Sequence, residues 1–100
     1  MAEQRLKPNL LIRTDVVVNT KNVEELEKLM IICESSSVDI KWLGGASPTQ
    51  GAYASERISQ YGEDTCINLN DGKYFSWGSK NVYKNVLSFQ QFCKINEGLN

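Results

Sequence analysis

The sequence predicts an α+β domain of two layers, ordered β-α-β, an irregular connection, then β-β-α, with two helices on one face of a mixed four-stranded sheet. Three observations carry this reading. Residues 10–19 and 38–43 alternate along the chain as strands do, and the residues between them repeat with the period of a helix. Thr65–Gly78 holds two short apolar-alternating runs around Asn70-Asp71-Gly72, the pattern of a β-hairpin. Ser88 with Gln91 three residues later opens a closing helix through a capping box.

The first strand places Leu10, Ile12, Thr14, Val16 and Val18 on one face and Leu11, Arg13, Asp15, Val17 and Asn19 on the other. Asn22 and Glu25 form a capping-box pattern for the first helix, whose apolar stripe is Val23, Leu26, Leu29, Met30 and Cys33, widened by Ile32. Ser35-Ser36-Ser37 ends it. The second strand, Val38–Leu43, puts Val38, Ile40 and Trp42 on one face, and Gly44-Gly45 stops it. A strand, a three-turn helix and another strand form a β-α-β unit, most simply a parallel pair with a right-handed crossover.

Ala46–Asp64 is open to two readings. Ser47–Gly51 has loop chemistry, and Ala52–Tyr61 fits either a short helix or an irregular excursion ending at Gly62. In the hairpin, a two-residue Asp71-Gly72 turn would mix polar and apolar side chains on both faces. A three-residue Asn70–Gly72 loop with Gly72 in the left-handed position pairs Ile67 with Phe75 and Thr65 with Trp77. That register gathers Thr65, Ile67, Leu69, Phe75 and Trp77 on one face, so it is the one expected. Residues 78–87 read as a loop with one turn or a short edge strand. Phe89, Phe92, Cys93 and Ile95 make the buried face of the last helix, Leu87 and Phe92 a hydrophobic staple, and Gly98 its stop.

At 100 residues the chain is read as an N-terminal arm over 1–9 and one domain over 10–98. A net charge of −1 offers no general attraction to nucleic acid or acidic membranes. No apolar run approaches the ~20 residues of a membrane span, and the first residues lack a signal-peptide core. A cytoplasmic protein is therefore expected. The three cysteines, Cys33, Cys66 and Cys93, contain no C-x-x-C and read as reduced, packed thiols. Histidine is absent, which removes the commonest general base and zinc ligand together with the Ser-His and Cys-His pairs. Catalytic residues, metal ligands and cofactors are accordingly expected to be none.

Trp42 and Trp77 stand at strand ends close to glycine-containing stops, so the loops after them are expected to share one edge of the sheet. Lys41, Trp42, Tyr53, Arg57, Tyr61, Tyr74 and Trp77 are the strongest polar-aromatic set, and Gly44 and Gly45 could let a ligand or partner approach the backbone closely. Stacking plus a cation could hold a planar or anionic ligand or a partner there. The plainer readings are core tryptophans and a simple glycine turn, since no phosphate-loop pattern surrounds Gly44-Gly45. Lys80, Tyr83 and Lys84 make a small basic-aromatic patch, too sparse for a nucleic-acid surface. Glu24, Glu25 and Glu27 suit a helix start, and Glu63-Asp64 a loop.

Three short motifs also carry a resemblance: Lys-Trp-Leu-Gly-Gly (Lys41–Gly45), Tyr-Phe-Ser-Trp-Gly (Tyr74–Gly78) and Leu-Ser-Phe-Gln-Gln-Phe (Leu87–Phe92). With the strand-helix-strand before them, the layout resembles small accessory proteins encoded by tailed bacteriophages and prophages. The chain departs from their usual short form in the long Ala46–Asp64 insertion. The resemblance implies a non-catalytic protein that binds, and inhibits, a host protein, and it implies no catalytic residues. The alternative is a protein that binds or sequesters a small ligand such as a nucleotide signal. Leu11, Val17 and Leu43, on the second sheet face, would also suit a homodimer.

Overall fold

The computed structural model describes residues 11–98, so the arm expected over 1–9 and the first residue of the predicted strand lie outside it. Among the described residues the long alternating run at the start yields three residues of paired strand, β1 (Val17–Asn19). Before it the alternation persists in burial, with Ile12 and Val16 inside and Arg13 and Asp15 outside. Its backbone is satisfied elsewhere: Arg13 N–H donates to Asn96 Oδ1 at 2.9 Å, and Val16 C=O accepts from Leu69 N–H at 3.0 Å. Once those groups are engaged, no sheet ladder is needed there.

Helix α1 (Val23–Glu34) forms where the sequence places it and buries Leu26, Leu29, Met30 and Cys33. Asn22 accepts from Glu25 N–H at 2.9 Å, while the Glu25 carboxylate reaches one residue further back, to Lys21 N–H at 2.9 Å. The four-stranded mixed sheet is completed by β2 (Thr65–Asn68), β3 (Ser76–Ser79) and β4 (Val86–Ser88), in the order β3-β2-β1-β4. β1 is antiparallel to β2 and parallel to β4, and β2 is antiparallel to β3.

The fourth strand is therefore not Val38–Leu43, and the predicted crossover from β1 to that segment is not formed. Residues 38–43 keep their two faces, with Ile40 and Trp42 buried and Asp39 and Leu43 exposed. They make only one parallel bridge, where Lys41 N–H donates to Lys73 C=O at 3.0 Å and Phe75 N–H donates to Lys41 C=O at 2.9 Å. The chain then turns back at once: Gly45 N–H donates to Trp42 C=O and Trp42 N–H to Ala46 C=O. Gly44 and Gly45 carry φ of +103° and +95° in that turn, which a side chain would oppose. The parallel partner of β1 comes instead from residues 78–87, which supply both a 3₁₀ turn (Lys80–Val82) and the edge strand β4.

The hairpin register also differs from the expected one. Ile67 faces Trp77 and Thr65 faces Ser79, two residues along from the predicted pairs. Lys73 and Phe75 have given backbone bonds to Lys41, so they are not free to close tightly on β2. A slip of two preserves which face each side chain occupies. Thr65, Ile67, Leu69 and Phe75 are accordingly buried, Trp77 is half-buried, and Gly72 takes φ +80° in the turn closed by its N–H on Leu69 C=O.

The second sheet face is not open. Cys66 is fully buried and Val17 is 7% exposed, so Val17 contributes nothing to an exposed apolar surface. Asn19 Nδ2 donates to the carbonyls of Glu63 and Thr65, and the Tyr83 ring lies about 3.5 Å from where a Cβ on Gly78 would stand.

Ala46–Asp64 resolves into loop and helix: α2 (Ala54–Tyr61) is followed by a 3₁₀ turn, Gly62–Asp64. α3 (Phe89–Glu97) has the full capping box, Ser88 and Gln91 each accepting from the other's backbone N–H. The core thus draws on three helices where two were expected. Leu26, Leu29 and Met30 of α1, Ala54 of α2 and Phe92 of α3 meet Val18, Ile67, Ile40 and Trp42 in one cluster. Among the described residues no helix is long and apolar enough to cross a membrane.

Candidate functional site

The polar-aromatic residues do come together, and Arg57 organises them. Tyr53, the residue before α2, sits in the left-handed region at φ 41°, ψ 50°, with no side-chain cap on the helix. For a tyrosine this costs about 1–3 kcal/mol. The kink turns the Gly51 and Ala52 carbonyls toward the first turn of the helix. Arg57 reaches back to both, Nη2 donating to Gly51 C=O and Nε to Ala52 C=O, each at 2.7 Å.

The guanidinium lies 3.8 Å from the Trp42 ring centroid, 5.0 Å from that of Trp77 and 5.9 Å from that of Tyr53. The Tyr61 ring meets Trp77 edge-on with centroids 5.5 Å apart, and Trp42 packs on Phe75 at 4.8 Å. Trp42 is fixed further by its indole Nε1–H, which donates to Pro48 C=O at 3.0 Å. Among the described residues no carboxylate lies within ion-pairing distance of Arg57. Partial burial lowers its pKa, opposed by the charges of Tyr53 and Glu56, and an arginine stays cationic regardless.

Of the residues singled out in the sequence, Trp42, Tyr53, Arg57, Tyr61 and Trp77 share this cluster. Lys41 does not join it: its ammonium pairs with exposed Asp39 at 3.0 Å. Gly44 and Gly45 serve the turn beside Trp42, and a Cβ on either would meet open space. Nothing in the local pattern marks Gly51, which reads as ordinary loop. A Cβ there would lie 2.3 Å from Trp42 Cδ1, so only glycine admits the ring. The loop is braced from outside by Glu34, whose carboxylate accepts from Thr49 Oγ1 at 2.6 Å and Thr49 N–H at 3.0 Å. Those bonds hold the Glu34 pKa below its ordinary value.

Two adjoining hollows open beside the cluster. One, of about 310 Å³, is lined by Trp42, Leu43, Arg57, Phe75, Ser76 and Trp77. The other, of about 480 Å³, shares Leu43, Phe75 and Ser76 and continues to Asn70 and Asp71. Leu43 on their common wall is 81% exposed, Tyr53 is 64% and Tyr61 is 43%. Chemically the place offers a cation, aromatic edges and an aliphatic wall, which suits binding. The thiols lie apart from it; burial pushes Cys33 up to about 12 and raises Cys66 and Cys93 as well. Among the described residues no group of three or more acidic, cysteine or histidine side chains gathers to hold a metal ion. No protein-family profile, no curated protein and no solved structure matches the chain.

Proposed function

We propose that the chain is a non-catalytic binding protein that engages another protein along the edge formed by Leu43, Tyr53, Tyr61, Arg57 and Trp77. The observation that carries this is the exposure of Leu43, Tyr53 and Tyr61 around a cation–aromatic cluster held from within. Trp, Tyr and Arg are the residue types that dominate binding energy at protein interfaces. The Arg57 side chain is pre-ordered here by the Gly51 and Ala52 carbonyls, which lowers the entropic cost of binding. The resemblance to phage accessory proteins makes a host protein the partner and inhibition the outcome.

The second reading, a small ligand such as a nucleotide signal, would use the same hollow. It is disfavoured because the guanidinium already covers the Trp42 face and Tyr61 abuts Trp77. A homodimer would use Leu43 in place of a foreign partner.

The test is capture from bacterial lysate by the wild-type chain and by Leu43→Asp, with circular dichroism to show that both are folded. Leu43 stands in a surface turn, so its replacement leaves the core intact. A protein retained by the wild type and lost with Leu43→Asp is the expected result. Equal capture by both, or a dimer in sedimentation that Leu43→Asp dissolves, would overturn the proposal.

A further inference from the structure

We infer that the segment received beside Arg57 is an acidic peptide, with an Asp or Glu carboxylate bound by Arg57 in the smaller hollow and an apolar neighbour against Leu43. The inference rests on the binding reading above and adds the chemistry of the partner.

Charge is the first argument. Arg57 spends two donor atoms, Nε and Nη2, on neutral carbonyls, and among the described residues no carboxylate comes within ion-pairing distance, Glu56 acting on it only from further off. A half-buried cation without a counter-charge is costly, and a carboxylate from outside relieves that cost. The remaining nitrogen, Nη1, makes no hydrogen bond among the described residues and is not sealed by them from solvent. Charge-assisted N–H···O bonds to a carboxylate are about twice as strong as neutral ones. Ser76 lines the same hollow and is exposed, and among the described residues no group engages its hydroxyl, so it supplies a second donor.

The second argument is shape. A nucleobase needs an open aromatic face. The Trp42 face is taken by the guanidinium at 3.8 Å, Trp42 is only 5% exposed, and Trp77 is flanked by Arg57 and Tyr61. A carboxylate needs only the guanidinium edge. An extended chain leaving it can follow Leu43 and Phe75 into the larger hollow, whose far end carries Asn70 and Asp71. Asp71 Oδ1 already accepts from Lys73 and Tyr74 N–H, so that end repels a second carboxylate and orients the peptide.

The probe is a pool of acetylated, amidated pentapeptides with a central Glu flanked by Leu or Phe, compared with the same pool carrying Gln. Binding is read from the NMR signals of the Arg57 Nε–H and the Trp77 indole. The Glu pool is expected to shift both, with the Gln pool weaker by about tenfold, the worth of one charge-assisted bond. Arg57→Lys keeps the charge but loses the carbonyl anchors, and it can loosen the loop. Ser76→Asp is therefore the second variant: it places a carboxylate beside Arg57 from an exposed strand position and should abolish binding without lowering the thermal midpoint. Equal shifts from both pools, or Glu-pool binding unaltered by Ser76→Asp, would overturn the inference. Saturable shifts from AMP or GMP at these same signals would overturn it in favour of a nucleotide. A lysate partner lost with Leu43→Asp but kept with Ser76→Asp would refute the acidic chemistry alone and leave the binding edge standing.

Discussion

Replacing Gly51 by alanine tests the arrangement at its tightest point. The added methyl would stand 2.3 Å from Trp42 Cδ1, 2.7 Å from Cγ and 3.1 Å from the Ala46 Cβ. A buried indole cannot absorb an overlap of that size by a small rotation, because Phe75 packs against it and Arg57 lies over its face. Overpacking of this kind costs about 1–3 kcal/mol. Pushing the ring aside also strains the Nε1–H bond to Pro48 C=O, worth about 1 kcal/mol, and the cation–π contact, worth about as much again. The sum is about 3–5 kcal/mol, a large part of the roughly 5–15 kcal/mol that holds a domain folded. For a chain of this size the thermal midpoint should fall by about 10–25 °C. Circular dichroism measures the midpoint, and hydrogen exchange of the Trp42 indole N–H reports whether the ring has moved. Gly98→Ala is the control: Gly98 has φ −67° and its nearest neighbour to an added Cβ stands at 3.4 Å, so a loss of no more than about 0.5 kcal/mol is expected. A Gly51→Ala midpoint within about 2 °C of wild type, with the indole signal unmoved, would refute the reasoning.

Other parts of the structure make independent predictions. Ser88→Ala removes one half of the α3 capping box and should cost about 1 kcal/mol in urea unfolding; an unchanged midpoint would show that the cap contributes nothing. Cys33 titrates near 12 in the folded chain against an ordinary 9.0, so its proton is held by the folded state and released by the unfolded one. That contribution is fully present below pH 9 and is lost as pH rises toward 12. Between pH 8 and pH 10 the wild type should lose about 1 kcal/mol more than Cys33→Ala, and parallel losses would exclude the effect. The raised Cys66 and Cys93 thiols are common to both chains and cancel in that comparison.

Local chemistry was legible from the sequence wherever a few neighbouring residues settle the matter. Asn22 and Ser88 start their helices because their side chains satisfy amides three residues away, and the α1 stripe follows from helical spacing alone. The facing of Thr65, Ile67, Leu69 and Phe75 was legible too, because any register of the right parity buries the same set. The aromatic cluster was half legible: residue types nominated Trp42, Tyr53, Arg57, Tyr61 and Trp77, but their contacts depend on a kink at Tyr53 that no propensity announces.

Tertiary structure alone decided which backbone bonds to which. Val38–Leu43 offered an alternating pattern for the last strand position and residues 78–87 only a loop or short edge strand, and it was Val86–Ser88 of the second segment that took it. Lys41 had already bonded to Lys73 and Phe75, and the glycine turn after Trp42 left no length for a ladder. The same competition displaced the hairpin by two residues. Strand pairing is long-range, so its outcome depends on which partners remain unsatisfied after the core has formed, and periodicity along one segment contains no information about that. Gly51 makes the same point at the scale of one atom: its need for a missing side chain arises only when Trp42, nine residues earlier, folds back onto it.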